Sequence, residues 1–175
     1  FLGCLLLLLS GRATGLDLYG VELDPTAARA ARDNLMENGL GGTVWTGDWN
    51  ALPGGTGPFD LVVSNPPYFA QGSGASGGPA RMEGRDGLES LCRTAARLTR
   101  NGGRFALCHR PERLTDLLCA LRVCGLEPKR LQLAAHAPDR PPSLGLVEAG
   151  RQGRPGLEVL PTLYRAGPGG REEGA

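Results

Sequence analysis

Asn65-Pro66-Pro67-Tyr68 is the stretch of this 175-residue chain with the most evident capacity for chemistry. Two prolines fix φ and remove two backbone donors, and the first of them pushes Asn65 toward an extended backbone. The result is a stiff segment rich in acceptors: the Asn65 side-chain oxygen and the carbonyls around it. Such acceptors can take the two N–H bonds of an exocyclic amine or a carboxamide and so turn the nitrogen lone pair toward a methyl donor. Tyr68 can stack on a planar target, which for a nucleic-acid base is worth about 1–3 kcal/mol, and Phe69 can extend that platform. By composition alone the segment could equally be a proline-braced turn with a core aromatic. Its position favours a site. It follows Phe59 to Ser64 (FDLVVS), an apolar run that reads as a central strand of a parallel sheet. The segment therefore sits beyond a strand's carboxyl end, where α/β folds hold ligands.

Two carboxylates occupy comparable places upstream. Glu22 ends the apolar run Leu18 to Leu23 and precedes a helix, so it can accept from both hydroxyls of a ribose. Asp48 follows the next strand in Gly47-Asp48-Trp49 and can accept from an adenine amino group, with Trp49 or Leu23 packing on the ring. A helix-entry acid and a turn aspartate are the plainer readings of the same two residues.

The elements that would position these groups follow from periodicity. Residues 2–10 read as an apolar helix ended near Ser10-Gly11. Asp24 is an N-cap candidate ahead of Pro25, which opens a helix with Ala27, Ala28, Ala31, Leu35 and Met36 on one stripe. Asn38-Gly39 ends that helix, and Thr43 to Thr46 is a second strand. Gly72 to Gly78 reads as a mobile loop. A helix spans Asp86 to Thr99, a turn falls at Asn101-Gly102-Gly103, and Arg104 to Cys108 is a strand. Pro111 to Cys124 is a further helix, and Leu131 to Ala135 and Leu144 to Glu148 close the sheet. Strands alternating with helices predict a doubly wound α/β fold, mostly parallel, in one domain over residues 1–166 with a frayed tail at 167–175.

Bulk properties exclude little. Net charge is +1, with acids in excess before residue 86 and arginines in excess after it, so a polyanionic partner would meet the second half. Cys4, Cys92, Cys108, Cys119 and Cys124 form no CxxC pair and read as buried free thiols of a reducing cytoplasm. His109 and His136 are not at ligand spacing with them, so no metal site is expected. Leu5 to Leu9 is too short to span a bilayer.

With these residues in view, the chain resembles class I S-adenosylmethionine-dependent methyltransferases of the amino-methylating group. The resemblance rests on Gly20-Val21-Glu22-Leu23-Asp24-Pro25 and on Asp60 to Phe69. It extends to bacterial tRNA(Val) N6-adenine methyltransferases through Ala80-Arg81-Met82-Glu83, Leu146 to Arg151 and Gly156 to Pro161. It implies a Rossmann-like fold, S-adenosylmethionine as cofactor and a structured RNA, tRNA, as partner of a monomeric cytoplasmic enzyme. By position it implies cofactor binding by Glu22, Leu23, Asp48, Trp49 and Asn65. Asn65, Pro66 and Tyr68 become the catalytic set, and Pro67, Phe69 and Arg81 contact substrate. The family's glycine-rich loop and the strand before it have no counterpart here. The chain opens on Phe1, which reads as truncation. Release-factor glutamine methyltransferases share the Asn-Pro-Pro-Tyr motif and are the alternative enzyme; a non-catalytic RNA-binding domain with a degenerate cofactor site is the alternative outside catalysis.

Overall fold

The computed structural model describes residues 2–66 and 85–165. The chain divides into two compact units, residues 1–54 and 55–175. In the first, helix α1 (Leu2–Ser10) precedes strand β1 (Tyr19–Glu22), helix α2 (Pro25–Glu37) and strand β2 (Thr43–Thr46). Asp24 caps α2, its Oδ1 accepting the Thr26 N–H at 2.8 Å, and Pro25 occupies the first turn, where no amide hydrogen is required. Ala28, Ala31 and Leu35 recur on one face and are buried with Leu6, Leu18 and Val44. Asn38 closes the helix, and Leu40 N–H reaches back to the Leu35 carbonyl across Gly39, which has positive φ. β1 and β2 pair in parallel, Gly20 opposite Val44 and Glu22 opposite Thr46.

The second unit is a five-stranded sheet of order β3-β4-β6-β5-β7, formed by β3 (Phe59–Ser64), β4 (Thr99–His109), β5 (Leu126–Ala135), β6 (Leu144–Arg151) and β7 (Glu158–Tyr164). β3–β4 and β5–β7 are parallel; β6 runs antiparallel to both its neighbours. Helices α3 (Arg85–Leu98) and α4 (Leu114–Val123) pack against the sheet. Leu88, Leu91, Cys92 and Ala95 of α3 and Leu117 and Leu121 of α4 are buried together with Phe105, Leu107, Val147 and Ala149 from the strands. Phe105 is fully enclosed, and its truncation to alanine would cost about 3–5 kcal/mol. Alternation along β4 places Phe105, Leu107 and His109 on the buried face and Arg104, Ala106 and Cys108 on the other. No described helix is long and apolar enough to cross a membrane.

Several expectations need correction. Among the described residues β3 pairs with β4 alone, and Leu61 is 45% exposed. An apolar run signals strand, but it does not by itself assign a neighbour on each side. Asn101-Gly102-Gly103 does not end an element. β4 begins at Thr99 and absorbs the extra residues as an irregularity, because register passes from Phe59 opposite Thr99 to Leu61 opposite Arg104. Gly102 supplies the positive φ that such a bulge uses. The closing strands are longer than their apolar cores, and β7 is an additional strand; Pro161 is tolerated there because, among the described residues, β7 is an edge. Of the five cysteines only Cys92 is buried, and Cys4 and Cys119 are exposed. Cys119 lies two residues from both Leu117 and Leu121, so it turns to the opposite side of α4 from that buried pair. The Gly72 to Gly78 segment and residues 167–175 lie outside the described residues.

Candidate functional site

In the first unit the parallel pairing brings Glu22 and Asp48 to one end of the two strands. Glu22 is the last residue of β1, and its carbonyl accepts the Gly47 N–H at 2.9 Å, which ties that strand end to the turn carrying Asp48. Glu22 Oε1 accepts the Asp24 N–H at 3.3 Å. The side-chain cap of α2 is Asp24, so Glu22 is a half-buried carboxylate with one oxygen on the Asp24 N–H. Asp48 is exposed and caps a short 3-10 turn, Trp49–Ala51, through Oδ1 and the Asn50 N–H at 2.8 Å. The turn-former reading of Asp48 therefore holds, and its second oxygen is not used by that cap. Leu23 is 46% exposed immediately after Glu22 and presents apolar surface. Trp49 is half-buried; its indole Nε1 is enclosed and has no hydrogen-bond partner among the described residues, so packing positions the ring. Arg32 of α2 braces β2, donating to the Val44 carbonyl at 2.9 Å and to Thr46 Oγ1 at 3.2 Å.

In the second unit Asn65 follows directly on β3 and is exposed, while Pro66 beside it is buried and anchors the segment. Asn65 Oδ1 accepts from the thiol of Cys108, 3.0 Å away at the end of β4. Pro67, Tyr68, Phe69 and Arg81 lie outside the described residues. Glu22, Leu23, Asp48 and Trp49 thus belong to the first unit, and Asn65 and Pro66 to the second.

Two features were missed. The sequence offers Cys108 only as a core thiol, and its place beside Asn65 comes from the β3–β4 pairing. Glu148 was read only as part of a similar run. It accepts from Arg104 at 2.5 Å and from Arg130 at 2.6 Å, bridging three strands with its side chain only 17% exposed. Burial by itself pushes this carboxyl up, but the Arg130 hydrogen bond and the charges of Arg104 and Arg130 outweigh it and hold the group below its ordinary value. A lone acid in Leu146-Val147-Glu148-Ala149 was the available clue.

The methyltransferase family described as UPF0020, RMKL-like, methyltransferase domain, matches residues 9–125, across both units. The chain belongs to this family. A predicted O-methyltransferase from Agrobacterium tumefaciens has a similar fold, with TM-score 0.66, 22% identity and coverage of 89% of this chain and 72% of that one. The fold is that of the Rossmann-like class I methyltransferases, and the cofactor it implies is S-adenosylmethionine. Among relatives, the 4-amino-L-phenylalanine/4-methylamino-L-phenylalanine methyltransferase of Streptomyces pristinaespiralis is 37% identical over 62% of this chain and 40% of its own length. A tRNA1(Val) (adenine(37)-N6)-methyltransferase of Porphyromonas gingivalis is 31% identical over 83% of this chain and 61% of its own length. A release factor glutamine methyltransferase of Deinococcus radiodurans is 32% identical over 70% and 48%, respectively. The chain thus spans about half the length of these relatives. Its own residues fit the nucleoside part of the cofactor: a carboxylate at a strand end for vicinal hydroxyls, an exposed apolar side chain beside it, and a second carboxylate beyond the neighbouring strand.

Proposed function

We propose that this protein transfers a methyl group from S-adenosylmethionine to N6 of an adenosine in tRNA. The observation that carries the reading is Asn65, held beyond the carboxyl end of β3 with its side chain exposed and its neighbour Pro66 buried. The acceptors that the three relatives' names describe support it. An aromatic amine, adenine N6 and a glutamine side chain each offer a planar nitrogen with N–H bonds to be held. Alignment of the tRNA relative over 83% of this chain favours adenine.

In this reading Glu22 binds the cofactor ribose and Asp48 its adenine, with Leu23 and Trp49 against the ring. When bound, S-adenosylmethionine supplies a sulfonium-activated methyl carbon. Asn65 and the Pro66 carbonyl hold the two N–H bonds of the target, which orients its nitrogen lone pair for transfer; Tyr68 stacks on the base, with Pro67, Phe69 and Arg81 as further substrate contacts. Adenine N6 is a weak nucleophile because its lone pair is delocalised, and positioning of this kind can supply about 7–11 kcal/mol. The base must leave its stack to be held in this way, which suits a loop nucleotide of structured RNA. We further propose that residues 1–166 act as one methyltransferase domain in a monomeric cytoplasmic protein.

A release-factor glutamine is the second reading, favoured by the Deinococcus radiodurans relative. Incubating the complete protein with methyl-labelled S-adenosylmethionine and either bulk tRNA or release factor separates the two. Label in tRNA digests as N6-methyladenosine is expected; label in release factor alone would overturn the adenine reading, and RNA binding without transfer to either would overturn the enzyme reading.

A further inference from the structure

We infer that Cys108 is a positioning residue that sets the orientation of the Asn65 side-chain amide. The inference rests on the reading of Asn65 as the residue that holds the target nitrogen. β3 and β4 are parallel neighbours whose last paired residues are Ser64 and Leu107, so Asn65 and Cys108 are the next residues in line on the two strands. Alternation turns Cys108 away from its buried neighbour His109. His109 in turn fixes the exit from β4, because its Nδ1 accepts the Arg110 N–H at 2.9 Å. The thiol so placed lies 3.0 Å from Asn65 Oδ1.

An amide oxygen carries no hydrogen, so the thiol is the donor in this contact. A thiol is both a weak donor and a weak acceptor, and here it is the amide oxygen, not the N–H₂, that faces it. Cys108 therefore selects between the two amide orientations. An amide oxygen has two lone pairs, and the thiol directs one of them toward β4. That choice fixes where the acceptor and the donor groups of Asn65 lie relative to a target nitrogen. Turning the amide over would present N–H bonds to an amine that also presents N–H bonds.

The inference makes separable predictions for Cys108→Val, which fills the site with an apolar side chain but loses the donor, and Cys108→Ser, which keeps a donor. In labelled-methyl transfer to bulk tRNA and to release factor by the complete protein, Cys108→Val should lower kcat/KM for the acceptor about tenfold, while Cys108→Ser stays within about threefold of wild type. S-adenosylmethionine affinity should be unchanged in both. Independently of any acceptor, the infrared S–H stretch that disappears in Cys108→Ser should lie at hydrogen-bonded frequency in wild type and move up in Asn65→Leu. A Cys108→Val protein as active as wild type, or an S–H band indifferent to Asn65→Leu, would overturn the inference. Absence of transfer in wild type would count against the methylation reading instead, and the band would still decide whether Cys108 orients Asn65.

Discussion

Glu22 and Gly47 are joined by a backbone hydrogen bond of 2.9 Å from the Gly47 N–H to the Glu22 carbonyl, so the turn that presents Asp48 hangs from the end of β1. Gly47 holds a φ of +152°, and a Cβ there would come within 3.1 Å of Trp45 Nε1. Gly47→Ala should therefore destabilise the protein by about 1–3 kcal/mol. Urea unfolding would measure this, and an unchanged midpoint would mean that the turn relaxes freely.

Glu22→Ala should weaken S-adenosylmethionine binding at least tenfold, since hydrogen bonds to a charged acceptor contribute about 1.5–3 kcal/mol. Calorimetric titration reads this directly. Because Asp24, not Glu22, caps α2, the thermal midpoint should move little; a large drop would assign Glu22 to the fold.

Asn65→Ala should abolish methyl transfer while leaving cofactor affinity close to wild type in the complete protein. The check is to measure both on the same preparation. Equal loss of the two would place Asn65 with the cofactor and not with the acceptor.

Glu148 contributes a pH-dependent part of stability. Its folded-state pKa is lowered by Arg130 and Arg104, so the contribution is complete above the ordinary carboxylate value of about 4.3 and is lost as pH falls through the lowered folded-state value. Glu148→Gln should cost about 1–3 kcal/mol at neutral pH, and the difference from wild type should shrink on acidification. Denaturation midpoints at several pH values would show the two curves converging; parallel curves would contradict the ion-pair account.

Much of the first unit was legible because its signals are local. Asp24-Pro25 capping, the Ala28–Ala31–Leu35 stripe and the Asn38-Gly39 stop each depend on neighbours within a turn or two. Glu22 and Asp48 were legible as site candidates because the carboxyl end of a strand is a position that sequence order defines. What escaped the sequence was set by pairing. Whether β3 has one neighbour or two, whether Asn101 to Gly103 breaks a strand or bulges within it, and whether Cys108 meets Asn65 all depend on partners dozens of residues away. β7 escaped for the same reason: Glu158 to Tyr164 carries a proline and little alternation, and only its place beside β5 makes it a strand.

Among the described residues β3 pairs with β4 alone, which bears on how this polypeptide must be handled. An apolar strand that is paired on one side only leaves a row of backbone donors and acceptors open to another chain. Asp60, held by Arg100 at 2.5 Å, is the one charge within Phe59 to Ser64 that opposes such pairing, while Leu61 next to it favours it. Leu61→Lys should therefore extend the usable concentration range without touching Asn65.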